Sequence, residues 1–223
     1  MSAPVLLDLF CKAGGATKGY QRAGFYVVGV DIEPQPHYCG DEFVQMDALD
    51  ALCGWADQFD AIHASPPCQG YSTQTADKSK HERMIDPVRD LLRATGLPFV
   101  IENVEGAKRF MENPVRLCGS SFGLDVRRHR LFESNWLLMV PPCDHSWQTP
   151  RFRSLAIDQH RAGRLACVVG VHGHINYAGE SEIRKRAMDI DWMTDAELAQ
   201  AIPPAYTEHI GRQLMAHVLE RAA

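Results

Sequence analysis

The sequence predicts an α/β fold: a mainly parallel sheet flanked by helices, with a small irregular region late in the chain. Three observations predict it. The run Val5-Leu6-Leu7-Asp8-Leu9-Phe10 passes through Cys11-Lys12-Ala13-Gly14-Gly15 into a helical stretch ending at Ala23, and a second apolar run, residues 26–30, closes on Asp31. Strand, glycine turn, helix and acid-tipped strand form the opening unit of a nucleotide-binding sheet. Two further apolar runs, residues 59–64 and 98–101, each end in polar chemistry: Ser65-Pro66-Pro67-Cys68 after the first, Glu102-Asn103 after the second. Strands alternating with helices make a parallel sheet, and ligands of such sheets gather beyond the carboxyl ends of the strands. Asp31, Cys68 and Glu102 all fall at or just past such ends.

The remaining elements follow in order. Met84, Ile85, Val88, Leu91 and Leu92 recur at helical spacing, and Gly96 stops that helix. Beyond Phe132 the pattern loosens into loops around Pro141-Pro142, Trp147 and residues 150–164, with a strand at 168–171. Short helices are expected at 181–188 and 195–201. Pro203-Pro204 introduces a last helix, about residues 206–221, with Ile210, Leu214 and Val218 facing inward.

Composition narrows the function. The seven cysteines are scattered and odd in number, which favours free thiols in a reducing, cytoplasmic setting. No apolar run is long enough to span a bilayer, and residues 1–10 lack the basic start of a secretory signal. A net charge of −5 argues against binding a polyanion by bulk attraction. Arg127, Arg128 and Arg130 nevertheless cluster, and Arg151, Arg153, Arg161 and Arg164 follow with only Asp158 opposing them, which suits a local basic face toward phosphates.

A cysteine held between two prolines and a Gly/Ser/Thr-rich segment (70–79) sits on a stiff turn beside a candidate lid. Pro67-Cys68-Gln69 with Ser72, then Glu102-Asn103-Val104, then Arg128-His129-Arg130, in that order and spacing, resemble the cytosine-C5 DNA methyltransferase family. The resemblance covers residues 5–132 well and 182–223 in part. It implies a class I S-adenosylmethionine-dependent methyltransferase fold in which residues 1–132 form the catalytic domain. Residues 133–181 would be a short target-recognition region, and 182–223 would be helices returning to the catalytic domain.

The resemblance implies that Cys68 attacks cytosine C6, that Glu102 contacts N3 and the exocyclic amine, and that Arg130 contacts O2. Arg128 would hold the loop or the phosphates, both arginines projecting from one face of an extended segment. Val126 stands where the family has Gln. For the methyl donor, S-adenosylmethionine (product S-adenosylhomocysteine), the resemblance implies Phe10, Ala13, Gly14, Gly15, Pro67, Gln200 and Ile202 around its body. Asp31 would take the ribose hydroxyls, Ile32 would lie beside the adenine, and Asp47 with Ala48 would meet the adenine amine. Lys12 replaces a family glycine; it either points to solvent or touches the donor's carboxylate. Gln200-Ala201-Ile202-Pro203-Pro204 matches the family's last motif loosely.

The implied partner is double-stranded DNA with its target base flipped out, without a membrane, and the chain is expected to be a monomer of bacterial or phage type. No metal is expected: Cys143, His145, Cys167, His172 and His174 invite a zinc reading, but Cys143-Asp144-His145 is spaced too closely for common zinc pairs. The alternatives are an RNA cytosine-C5 methyltransferase and a non-catalytic DNA-binding relative. A nucleotide-dependent oxidoreductase ranks last, because Gly-x-Gly-x-x-Gly is missing.

Overall fold

The computed structural model describes residues 2–73, 75–150, 166–171 and 180–222. Strand β1 (Val5–Leu9) pairs in parallel with β2 (Tyr26–Asp31) and with β4 (Ala61–Ala64). β3 (Glu42–Gln45) adds to β2, and β5 (Phe99–Asn103) adds to β4, both in parallel. β7 (Arg130–Ser134) runs antiparallel between β5 and β6 (Val115–Leu117), giving a seven-stranded sheet in the order β3-β2-β1-β4-β5-β7-β6. A separate parallel pair joins β8 (Gln148–Pro150) to β9 (Ala166–Val168).

Alternation along the strands sorts side chains to two faces. Leu7 and Leu9 of β1, with Val28, Ile62, Ala64 and Ile101, pack against helices α2 (Ala48–Trp55) and α3 (Ile85–Thr95). Leu6, between them in sequence, joins Val27, Ala61 and Val100 on the opposite face, beneath α1 (Gly15–Arg22) and α6 (Pro204–Ala222). Ile210, Leu214 and Val218 of α6 are buried there, as the helical pattern predicts. Thr207 Oγ1 donates to Ala16 O at 2.8 Å, fastening the last helix to the first. A third apolar cluster gathers Ala13, Val126, Val169 and Val171 with Met188 of α4 (Glu180–Met188) and Leu198 of α5 (Asp195–Gln200).

The structure departs from the sequence reading in several places. β3 and α2 carry no strong pattern: β3 is a four-residue, half-exposed edge strand, and α2 starts because the Asp47 carboxylate accepts from Leu49 N and Asp50 N. The third predicted strand begins at Ala61; Asp60 before it is used as a brace, its Oδ2 accepting from Val5 N at 2.7 Å. Gly96 caps α3 at φ 67°, as expected. The strand expected at 168–171 lies earlier, at Ala166–Val168, and Val169 instead bonds Asp125 O. Arg128 and Arg130 do not share a face: Arg128 has φ 27°, a left-handed turn, and only Arg130 enters β7. No described helix is long and apolar enough to cross a membrane. Arg151, Arg153, Arg161, Arg164, His172, His174 and Asn176 lie outside the described residues.

Candidate active site

A cavity of about 900 Å³ opens over the carboxyl ends of β1, β2, β4 and β5. Parallel strands bring these ends together, so residues far apart in sequence meet there. Cys68, Glu102, Arg128 and Arg130 all line it, as do Phe10, Ala13, Gly15, Asp31, Ile32, Asp47, Ala48, Pro67, Gln200 and Ile202. Gly14 does not line it; it forms the left-handed turn (φ 85°) that starts α1, and no side chain caps that helix.

The cysteine loop is tied at both ends. Asn103 Nδ2 donates to Pro66 O at 2.9 Å, and the amides of Tyr71 and Ser72 donate to Cys68 O. Further along, Tyr71 Oη accepts from Ile85 N at 3.0 Å, so the start of the segment 70–79 is fixed to the foot of α3. Burial, then the nearby Glu102 charge, lifts the Cys68 thiol above its ordinary value, while Arg130 and Arg128 pull it down.

Glu102 is buried at the end of β5. Arg130 Nε lies 3.0 Å from its Oε1. Burial raises its pKa; Arg130, the Ser65 hydroxyl and Arg128 oppose the rise. Behind Ser65 stands a fully buried chain: Tyr20 Oη meets His63 Nδ1 at 2.9 Å, and His63 Nε2 meets Ser65 Oγ at 2.9 Å. Desolvation holds His63 near about 3, so its ring is neutral at physiological pH. A neutral ring carries one proton, so it donates to one of these hydroxyls and accepts from the other, while the Ser65 hydroxyl also supports the Glu102 carboxylate. Tyr20, His63 and Ser65 thus form a polar chain behind Glu102 that the sequence reading missed, because their spacing follows no motif.

Of the two roles expected of Arg128, holding a loop or the phosphates, its hydrogen bonds match the first. Its Nε donates to Ala201 O and its Nη2 to Ala199 O, both at 2.7 Å, so it clamps the end of α5 and the residue just past it onto the cavity wall. Nη1 of Arg128 and Oδ1 of Asp8 are buried polar atoms without a hydrogen-bond partner among the described residues, and both residues line the cavity. Val126 is buried in the third apolar cluster, where a family-like glutamine would be desolvated.

The wall facing Cys68 is built from the glycine turn and the tip of β2. A Cβ on Gly15 would lie 2.6 Å from Ile202 O, so only glycine lets the 201–202 backbone close over the turn. Asp31 is buried at the tip of β2, while neighbouring Ile32 is 66% exposed beside it. Asp47 both lines the cavity and caps α2. Lys12 does not project freely to solvent: its Nζ lies 2.9 Å from Glu33 Oε2 and 3.4 Å from Asp31 Oδ1. Its φ of 47° explains why glycine suits this position. Met193 and Glu197 also line the cavity; the capping box Thr194-x-x-Glu197 was the available signal for that helix start.

A sheet ordered 3-2-1-4-5-7-6 with one reversed strand, and a cavity over its carboxyl edge, is the fold of class I adenosylmethionine-dependent methyltransferases. Among solved structures the chain is similar to a prophage-encoded protein of E. coli described as a DNA modification methyltransferase (TM-score 0.55, 16% identity, 98% of this chain and 100% of that one). It is similarly close to the Dnmt2 methyltransferase of S. pombe (TM-score 0.56, 12% identity, 98% and 99% covered). At these identities the likeness concerns the fold. In sequence the chain is 31% identical over 125 residues to the type II methyltransferase M.XorII of Xanthomonas oryzae, covering 48% of this chain and 29% of that protein. It is 31% identical over 127 residues to M1.HphI of Haemophilus parahaemolyticus, covering 48% and 33%. The matches therefore span about a third of those relatives. No protein-family model matches the chain.

Proposed function

We propose that this chain methylates C5 of a flipped-out cytosine in double-stranded DNA. The observation that carries the reading is the convergence of Cys68, Glu102 and Arg130 on one cavity whose other wall is the glycine turn and Asp31. Similarity to two type II methyltransferases supports DNA as the substrate. S-adenosylmethionine, held by Phe10, Gly15, Asp31, Ile32, Asp47 and Ile202, supplies an electrophilic methyl group.

Cytosine C5 is too weak a nucleophile to take that methyl unaided. The Cys68 thiolate adds to C6, which pushes an electron pair to C5; once C5 has accepted the methyl, loss of its proton expels Cys68 as thiolate. Glu102 protonates or hydrogen-bonds N3 as C6 is attacked, so its raised pKa favours the form the step needs. A neutral Glu102 also removes the like charge that holds the Cys68 thiol protonated, which couples the two groups. Arg130 aligns Glu102 and reaches toward cytosine O2. Residues 133–181 serve as the target-recognition region, and 182–223 return to complete the donor pocket.

The test is transfer of labelled methyl from S-adenosylmethionine to mixed duplex DNA, comparing the intact chain with Cys68→Ser, followed by bisulfite sequencing. Label on C5 that vanishes in the variant supports the reading. Label found on transfer RNA and not on DNA replaces it with an RNA methyltransferase; donor binding without transfer to either leaves a non-catalytic relative.

A further inference from the structure

Beside the cavity, which His129 also lines, four side chains from three stretches of chain converge. Cys118 follows β6, His129 precedes β7, and Cys143 and His145 come from the loop that leaves β7. Their ligand atoms all lie within 4.8 Å of one another. His145 Nε2 is 3.2 Å from Cys118 Sγ and 3.0 Å from Cys143 Sγ, and His129 Nε2 is 3.4 Å from Cys143 Sγ. We propose that these four residues bind one structural zinc ion as a Cys2His2 centre.

Zinc takes sulfur at about 2.3 Å and nitrogen at about 2.0–2.1 Å, so the edges of its tetrahedron measure about 3.3–3.8 Å. The separations of 3.0–3.4 Å lie at and just below the short end of that scale, and the donor set is one that zinc prefers. Two thiolates and two imidazoles neutralise the ion's charge, so a closed, half-buried site carries no net burden. Groups around the cluster fit an outer shell. Ser120 Oγ donates to Cys118 Sγ at 3.2 Å and lies 3.7 Å from Cys143 Sγ, a hydroxyl able to support both thiolates. Glu105 Oε2 stands 3.8 Å from His129 Nδ1, the ring nitrogen left over for a carboxylate when Nε2 faces a metal. The two imidazoles stack at 5.3 Å with 20° between their planes, an arrangement that two protonated rings would resist.

On this proposal the other two ligands come from 25 and 14 residues before Cys143, so the close spacing of Cys143-Asp144-His145 does not by itself decide against zinc. Cys167, His172 and His174 are not needed. The centre would cross-link the β6–β7 unit to the first residues of the following loop, and its ligand His129 sits between Arg128 and Arg130 in sequence. Zinc would thereby fix the arginine segment of the active site and the base of region 133–181 together.

The test is metal analysis of the full chain purified in reducing, chelator-free buffer, with cobalt substitution as a spectroscopic check. One zinc per chain is expected, with a tetrahedral cobalt spectrum carrying thiolate charge-transfer bands. Cys143→Ala and His145→Ala should each lower zinc occupancy at least about tenfold, whereas Cys53→Ala, at an exposed position of α2, should leave it unchanged. Should the variants fail to fold, the cobalt spectrum of the unaltered chain still decides. Less than a tenth of an equivalent of zinc after zinc supplementation, with Cys118 and Cys143 alkylating freely, would overturn the proposal. A Cys118–Cys143 disulfide in non-reduced peptide mapping would overturn it too. None of these readouts depends on methyl transfer, so this inference and the proposed function fail separately.

Discussion

Glu102 and Arg130 form an ion pair at 3.0 Å across the β5–β7 ladder, at the rim of the cavity that also holds Cys68. Both side chains are largely buried, so the arginine is the main reason the carboxylate can ionise there. Arg130→Ala removes that support and leaves desolvation unopposed except by Ser65 and Arg128. The folded-state pKa of Glu102 then rises further above its unfolded value. A carboxylate raised on folding contributes stability below its unfolded pKa and loses it as pH climbs to the folded pKa. Arg130→Ala should therefore destabilise the chain more at pH 8 than at pH 5, by about 1–3 kcal/mol at the higher pH. Urea denaturation at the two values checks this; an equal loss at both would mean that Glu102 does not carry the effect. Methyl transfer should fall roughly 100-fold or more.

Asp8 provides a second pH signature. It is fully buried, accepts from Thr17 Oγ1 at 2.5 Å, and its pKa is raised to about 7, chiefly by desolvation. Its contribution to stability is largest below about pH 4 and is lost as pH rises to 7. Asp8→Asn should remove that slope and raise stability at pH 8. The shift corresponds to about 4 kcal/mol, less about 1–3 for burying the amide hydrogens. Parallel denaturation curves of the two proteins from pH 5 to 8, with an unchanged difference, would refute this.

Lys12 tests the donor pocket. Lys12→Gly relieves a left-handed residue worth about 1 kcal/mol and frees Asp31 of its ion pair. Calorimetry should find adenosylmethionine bound at least as tightly as by the unaltered chain. A tenfold weakening would assign Lys12 a direct contact with the donor.

Gly15→Ala should do the opposite. The new Cβ meets backbone at Ile202 O, which cannot yield without moving the segment clamped by Arg128. Donor affinity is expected to drop at least tenfold and stability by about 1–3 kcal/mol. Unchanged affinity would show that the 199–202 segment is not part of the donor site.

Sequence periodicity made β1, α1, β2, α3, β5 and α6 legible, because each carries a continuous apolar stripe or run bounded by glycine, proline or a polar tip. It also placed Asp31, Cys68 and Glu102 at strand ends, which in a parallel sheet is enough to bring them into one cavity. β3, β6 and β7 were not legible: each is three to five residues long, and β7 takes its partners from β5 and β6 rather than from its own pattern.

What the sequence determined by itself was the order of its strongly patterned elements and the placing of Asp31, Cys68 and Glu102 at strand ends, since both depend on local spacing. Tertiary structure decided the rest. It turned Arg128 away from Arg130 to clamp Ala199 and Ala201, set Lys12 against Asp31, and stacked Tyr20, His63 and Ser65 behind Glu102. It also brought Cys118 and His129 to Cys143 and His145. Each of these depends on where separate stretches of chain meet when the sheet closes its core, and a contact made that way leaves no period in the sequence.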